Sequence, residues 1–249
     1  MSAPHSTRAP VRDLSPAVLL SLLCLLYLLM FVNRVNISTA APLIKTDLRL
    51  TNTQLGVIFS AFAIPYAGFQ LIGGWIGDKL GPRLALASCC AIVAASTIAA
   101  AAAAGFASLF AVRLALGFGE GAAFPTATRA LSSWTPSSRW GFAQGITHAF
   151  GRIGNALTPA LMAGLLAAVS WRASFVILGL ATLLWLFFWI WLFRNRASAS
   201  RDAARMGLDI WLRLARRILP VTIVDFCYGW TLWLFLTWIP AFFCGKFSS

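Results

Sequence analysis

The stretch Gly73-Gly74-Trp75-Ile76-Gly77-Asp78-Lys79-Leu80-Gly81-Pro82-Arg83 is a polar, glycine-rich hinge between two long apolar runs. Gly73, Gly77 and Gly81 recur every four residues, so one face of a helix end is bare and a neighbouring backbone can approach it closely. Asp78, Lys79 and Arg83 crowd what reads as a turn only a few residues long. A short basic turn between two apolar helices is a cytoplasmic loop of a membrane protein.

Working outward, seven apolar runs are each long enough, at ~20 residues, to cross a bilayer as helices. They cover residues 17–38, 55–76, 84–104, 109–131, 141–169, 173–193 and 219–243. Hydrophobic residues make up 59% and charged residues 11% of the 249, a balance that lipid accepts and a water-soluble surface does not. The expected class is an all-α membrane protein. Its organisation reads as a tail (1–15), a six-helix bundle (16–193), a basic linker (194–218), a seventh helix (219–244) and a short end (245–249). The first run is too long for a secretory signal and carries Asn33 and Arg34 near its end with no small-residue cleavage site, so it is retained.

The net charge of +13 raises the question of nucleic acid, and its distribution answers it. With the N-terminus inside, 13 of the 20 basic residues fall in cytoplasmic segments, four in outer ones and three within runs. That is the positive-inside pattern of a multi-pass cell-membrane protein, and no nucleic-acid motif accompanies it. Residues 206–218 of the linker are amphipathic, with Leu208, Trp211, Leu212 and Ala215 on one face. They read either as a helix on the inner leaflet or as a solvated connector. Cys24, Cys89, Cys90, Cys227 and Cys244 sit in or at the end of apolar runs without metal-ligand spacing and read as packing residues. His5 and His148 have no companion ligand, so no metal site is expected. No nucleophile and base pair or cofactor motif is legible, which disfavours an enzyme.

Ionisable groups within the runs are expensive in hydrocarbon, at ~2.5–3.5 kcal/mol each near a helix centre, and each needs a reason. Arg34, Arg113, Glu120 and Arg152 stand out. Arg34 lies ~26 Å along the first helix and Arg152 ~18 Å into the fifth, at ~1.5 Å per residue. Arg113 and Glu120 are seven residues apart, almost two turns, so they face the same way with Gly117 between them. Three arginines against one glutamate leave an excess of positive charge that fits an anion or another acidic partner such as Asp225. A guanidinium keeps its charge when desolvated and grips a carboxylate through two parallel hydrogen bonds. Burial disfavours a carboxylate's charge while a nearby arginine favours it, and between the two a proton can be exchanged. The alternative is a structural Arg113 to Glu120 ion pair that only joins helices.

Two sets of residues resemble known families. Gly74, Asp78, Lys79, Gly81 and Arg83 fill the signature loop between helices 2 and 3 of the major facilitator superfamily, roughly Gly-x-x-x-Asp-Arg/Lys-x-Gly-x-Arg. Arg113-x-x-x-Gly117-x-x-Glu120-Gly121-x-x-x-Pro125, with Arg34-Val35-Asn36-Ile37-Ser38, resembles the anion:cation symporter family within it. Further likeness lies in Phe59-Ser60-Ala61-Phe62 through Tyr66 and Gln70, and in Trp171-Arg172. The resemblance runs from about Leu25 to Ala241. It implies a six-helix half built as a 3+3 inverted repeat, with one further helix, and a site near the midplane.

It also implies transport of sugar acids and other organic anions by alternating access, usually with protons. Arg34 and Arg113 would then hold the substrate carboxylate and Glu120 would carry the proton. Many relatives have Asp immediately before the helix 1 arginine as a second proton site, and here that residue is Asn33, which carries none. Proton coupling through Glu120 alone, uncoupled exchange and an altered stoichiometry all follow from that departure. Asp78 would stabilise the outward-open state through a helix 4 arginine, here Arg129, together with helix 11. Tyr66 and Gln70 enter the site through the resemblance. Arg152 reads as a third anion contact, His148 and Asn155 as hydroxyl ligands or packing residues, Tyr228 as a cavity candidate and Trp238 as an interfacial anchor.

The family would continue past Ser249 into helix 8. A truncated, frameshifted or split product is therefore expected as an alternative, either as a non-transporting remnant or as a subunit completed by a second chain or oligomer. An uncoupled or phosphate carrier is a third reading.

Overall fold

The computed structural model describes residues 15–193 and 208–246. Among these are six α-helices and no strand: α1 (Pro16–Asp47), α2 (Asn52–Ala101), α3 (Phe106–Trp134), α4 (Trp140–Ala168), α5 (Trp171–Leu192) and α6 (Leu208–Lys246), with a 3-10 turn at Ser137–Arg139. The class is all-α, as expected from the length of the apolar runs. Residues 1–14 with His5, residues 194–207, and the side chains of Trp211, Trp238 and Cys244 lie outside the described residues. Four segments, Pro16–Asp47, Ile72–Ala101, Phe106–Trp134 and Trp171–Leu192, are long and apolar enough to cross a bilayer. The other three apolar runs also fall on helices.

The helix ends follow local chemistry. Pro16 opens α1 at a position where its missing N–H is not needed. Pro42 does not end α1, which continues to Asp47, well past residue 38, through the helix formers Ala40, Ala41 and Leu43. The chain then turns at Arg49, whose φ of 51° is left-handed, and re-enters helix at a capping box. There Thr51 Oγ1 accepts from the Gln54 N–H at 3.1 Å and the Gln54 side chain accepts from the Thr51 N–H at 2.9 Å.

The quoted hinge is tighter than its sequence suggests. Asp78, Lys79 and Leu80 remain helical, and the reversal is concentrated at Gly81, with φ 75° and ψ 154°. Only glycine adopts that conformation without strain, and Pro82 then starts the second arm of α2. Two of the apolar runs are thus two arms of one kinked helix. The glycine stripe packs as its spacing predicts. A Cβ on Gly73 would collide with the backbone of Ala122, and one on Gly77 would sit 3.3 Å from Thr126 Oγ1. From α3, a Cβ on Gly121 would meet the Tyr66 carbonyl at 2.6 Å, and one on Gly117 would overlap the Phe62 carbonyl. The first arm of α2 and α3 therefore approach at backbone distance along four small residues.

Gly154 of α4 does the same for α1, where a Cβ would meet the Leu28 carbonyl at 2.7 Å. The second arm of α2 packs on α5 through Gly179 and is fastened at both ends. At one end Arg83 Nη2 donates to the Ile190 carbonyl at 2.6 Å and Trp189 Nε1 to the Arg83 carbonyl at 3.0 Å. At the other, Arg172 Nη1 donates to the carbonyls of Ala101 and Ala103, and its Nη2 pairs with Asp47 at 2.9 Å.

Two hydrophobic clusters fill the bundle. One holds Leu19 to Met30 of α1 with Trp185, Trp189 and Phe193, and the other holds Val32 and Ile37 to Ile44 with Trp171 and Phe175. Between them along α1 lie the buried polar residues Asn33, Arg34 and Asn36. Helix α6 starts at Leu208 rather than at 219, because the amphipathic stretch continues without a break into the apolar run, and it rests on α1. Cys24, Cys89 and Cys90 are buried, as packing residues should be, whereas Cys227 on α6 is exposed.

Candidate functional site

Among the described residues, the buried charged side chains are Arg34, Arg113 and Glu120. Arg34 of α1 is 5% exposed and Glu120 of α3 is fully buried. The Arg34 guanidinium donates through Nε at 2.8 Å and Nη2 at 2.7 Å, both to Glu120 Oε2. Glu120 Oε1 has no hydrogen-bond partner. Four aromatic rings surround the guanidinium, with its central carbon 4.4 Å from the Tyr66 centroid, 4.7 Å from Phe31, 5.1 Å from Phe62 and 5.5 Å from Phe124. Each ring face offers the cation negative charge density in place of water.

This pairing differs from the Arg113 to Glu120 ion pair that the sequence offered as the alternative to a ligand site. Seven residues do bring the two onto one stripe of α3, but they also separate them by ~10 Å along the axis. Helix α1 crosses at the level of Glu120 and delivers Arg34 there instead. Arg113 is 4% exposed, lies 5.0 Å from the Phe62 centroid, and leaves its Nε without a hydrogen-bond partner. Glu120 and Arg34 are the charges it feels. Phe62 thus touches both arginines.

Asn33 is adjacent to Arg34 in sequence but faces away, because successive helical residues diverge by ~100°. Its Nδ2 donates to Thr182 Oγ1 at 2.9 Å and to the Leu29 carbonyl at 3.0 Å, and its Oδ1 accepts from Thr97 Oγ1 at 3.2 Å. The amide is a cross-brace joining α1, the second arm of α2 and α5. Asn36, 1% exposed, has neither amide atom paired.

The other expected residues are dispersed. Gln70, one turn beyond Tyr66, is exposed. Arg152 is exposed and stands over the ring of Tyr228 on α6 at 4.9 Å. His148 packs edge-on against Tyr27 with centroids 5.1 Å apart, and Asn155 is buried with Oδ1 unpaired. Asp225 on α6 is among the charges that act on His148. Asp78 and Arg129 lie 3.1 Å apart at the far end of the bundle, and Lys79 Nζ rests 4.0 Å over Trp75. A cavity of about 570 Å³ opens there, lined by Gly74, Asp78, Arg129, Trp140 and Gln144. It lies away from the buried arginines and touches neither of them. Sequence reasoning passed over Phe31, Phe62 and Phe124 as cage walls. Their positions three to four residues from Arg34, Tyr66 and Glu120 are the helical spacing that would have found them.

A buried cation with an unpaired donor beside an ion pair, between helices of a membrane bundle, has the charge and hydrogen-bonding capacity to meet an anion. The Major Facilitator Superfamily profile matches residues 23–248. The chain belongs to that superfamily. It is 43% identical over 247 residues to a probable sulfoacetate transporter of Cupriavidus necator, covering 90% of this chain and 56% of the relative. It is 29% identical over 223 residues to a hexuronate transporter of Bacillus subtilis, covering 85% and 53%. Among solved structures, a bacterial homologue of the human lysosomal transporter Spinster superposes with a TM-score of 0.70 at 20% identity, over 91% of this chain and 55% of the other. The chain spans about half the length of the curated relatives it matches. This superfamily member is a multi-pass membrane protein from a family of transporters rather than enzymes.

Proposed function

We propose that the chain is the first half, with the first helix of the second, of a secondary transporter for small organic anions, sugar acids and related compounds, coupled to protons. The observation that carries this reading is the Arg34 to Glu120 pair in its aromatic cage. A substrate carboxylate and Glu120 compete for one guanidinium. A proton on Glu120 removes the internal anion and leaves Arg34 to the substrate, while Arg113 holds it from the other side. Anion and proton are thereby bound together, and alternating access carries both. The charge distribution supports a cytoplasmic N-terminus. In this reading the tail, six-helix bundle, basic linker and seventh helix keep the divisions drawn above, and Asp78 with Arg129 forms the far-end contact of one conformational state. A second chain or oligomer would complete the half-site.

A narrower reading has its own support. The 43% identical relative is named as a probable sulfoacetate transporter, which favours a short sulfonated acid over a hexuronate as cargo.

Uptake of a labelled panel of sugar acids and sulfoacetate by vesicles containing chain 1–249, with and without an inward proton gradient, tests the proposal. Gradient-dependent accumulation, lost on Arg34→Gln or Arg113→Gln with insertion intact, is the expected result. Normal uptake by either variant would remove the site assignment, and uptake indifferent to the gradient would remove the coupling.

A further inference from the structure

We infer that Arg213, Arg216 and Arg217 on α6 form a binding surface for the phosphate of an anionic phospholipid, in the leaflet that meets the N-terminal end of that helix. The surface holds lipid rather than cargo, so it stands apart from the reading of Arg34, Arg113 and Glu120.

Helix length places the arginines. Helix α6 has 39 residues, from Leu208 to Lys246, and is ~58 Å long at ~1.5 Å per residue, whereas the hydrocarbon of a bilayer is ~30 Å thick. Part of it must stand outside the hydrocarbon. Its apolar run begins at Leu219, and the helix passes Pro220 without a break, so residues 208–218 are the part that emerges. Arg217, Arg216 and Arg213 then lie ~3, ~4.5 and ~9 Å beyond the boundary. The headgroup layer is ~5–8 Å deep on each side, so two of the three stand within it and the third at its outer edge, inside the reach of a long side chain.

The chemistry matches that depth. Positions 213, 216 and 217 are spaced by three and four residues, so they share one face with neighbouring Cβ atoms ~5–6 Å apart, and all three side chains are exposed. Over residues 208–219 the three arginines stand against Asp209 alone, which leaves a net charge of +2. A guanidinium fork meets two phosphate oxygens at once, and two forks on adjacent turns can close on one phosphate from both sides. Ile218 and Leu219, at the hydrocarbon boundary beside the stripe, are also largely exposed. Acyl chains beneath a bound headgroup would cover them, whereas free phosphate would leave them bare. The lipid therefore satisfies both the charged and the apolar parts of this surface, and each basic residue at the membrane surface adds about 1 kcal/mol of attraction to anionic lipid.

Native mass spectrometry of the full chain in detergent, titrated with phosphatidylglycerol or with phosphatidylcholine of the same acyl chains, tests this. The expected result is about tenfold or greater preference for phosphatidylglycerol, weakening as ionic strength rises. The triple variant Arg213→Gln, Arg216→Gln, Arg217→Gln should lose the preference. The triple lysine variant keeps the charge without the two-pronged grip and should retain a reduced preference. Arg139→Gln, exposed but off the stripe, should leave it unchanged. Millimolar inorganic phosphate should fail to displace the lipid. Equal binding of the two lipids would overturn the inference. So would a preference that survives the triple glutamine variant, or displacement by inorganic phosphate, which would make this a site for the free anion.

Discussion

The Arg34 to Glu120 pair and the Asp78 to Arg129 pair are ion pairs of the same chemistry in opposite settings. The first is 5% and 0% exposed and ringed by aromatic side chains, whereas the second is 58% and 44% exposed beside an open cavity. A pair exposed to that degree is worth only ~0.2–1 kcal/mol, because competing hydration and side-chain entropy offset the Coulomb gain. In the buried pair, removing one partner strands a charge and costs about 3–5 kcal/mol. One region therefore holds its helices together through an interaction that is costly to disturb, whereas the other contributes little to the stability of the bundle.

The contrast ranks the effects expected of individual substitutions. The largest effect is expected for Arg34→Gln, which strands Glu120 and should destabilise the folded chain by about 3–5 kcal/mol, read as a lowered thermal midpoint in detergent. Arg34→Gln combined with Glu120→Gln should recover much of the loss. A double-mutant cycle with no coupling between the two would show that the pair is not the energetic unit the geometry describes. Next comes Gly121→Leu. Its side chain would be driven into the Tyr66 carbonyl and part α2 from α3, with a cost of ~1–3 kcal/mol and loss of anion binding as the cage opens. A stability equal to wild type would mean that the close approach of these helices is not required.

Asn33→Asp tests whether the cross-brace stands apart from the site. A carboxylate there has no donor for Thr182 Oγ1 or the Leu29 carbonyl, so destabilisation of ~1–3 kcal/mol is expected near neutral pH, relieved on acidification as the new acid protonates. Stability independent of pH would contradict the bonding described for that amide. The smallest change belongs to Arg129→Gln, expected to move stability by no more than ~1 kcal/mol. A loss of several kcal/mol would show the exposed pair to be structural after all.

The small-residue contacts were legible in the sequence because they depend on spacing alone. Gly73 and Gly77 recur at one helical turn, and that period decides which face a neighbour can approach, whoever the neighbour is. The hinge was legible in its residues but not its compactness, since a reversal concentrated at Gly81 depends on φ and ψ. Arg34, Arg113 and Glu120 could be picked out as the charges that hydrocarbon does not tolerate without cause. Their partners could not, because pairing depends on where α1 crosses α3, and residues 34 and 120 share no local pattern. The same limit applies to Arg152, which meets Tyr228 on α6, and to Asn33, whose bonds to Thr97 and Thr182 join three separate helices.

What the sequence determined by itself is the solvent and the class: apolar runs of ~20 residues, few charges and a basic, glycine-spaced hinge point to helices in a membrane, since a run of that length spans the hydrocarbon as a helix that satisfies its own backbone groups without water. What the tertiary structure decided is which of three buried charges are partners and which is left over. That choice lies beyond sequence because an ion pair is set by distances between helices, over which charge interactions vary steeply in a dry interior, while the sequence specifies only the face on which each charge is carried.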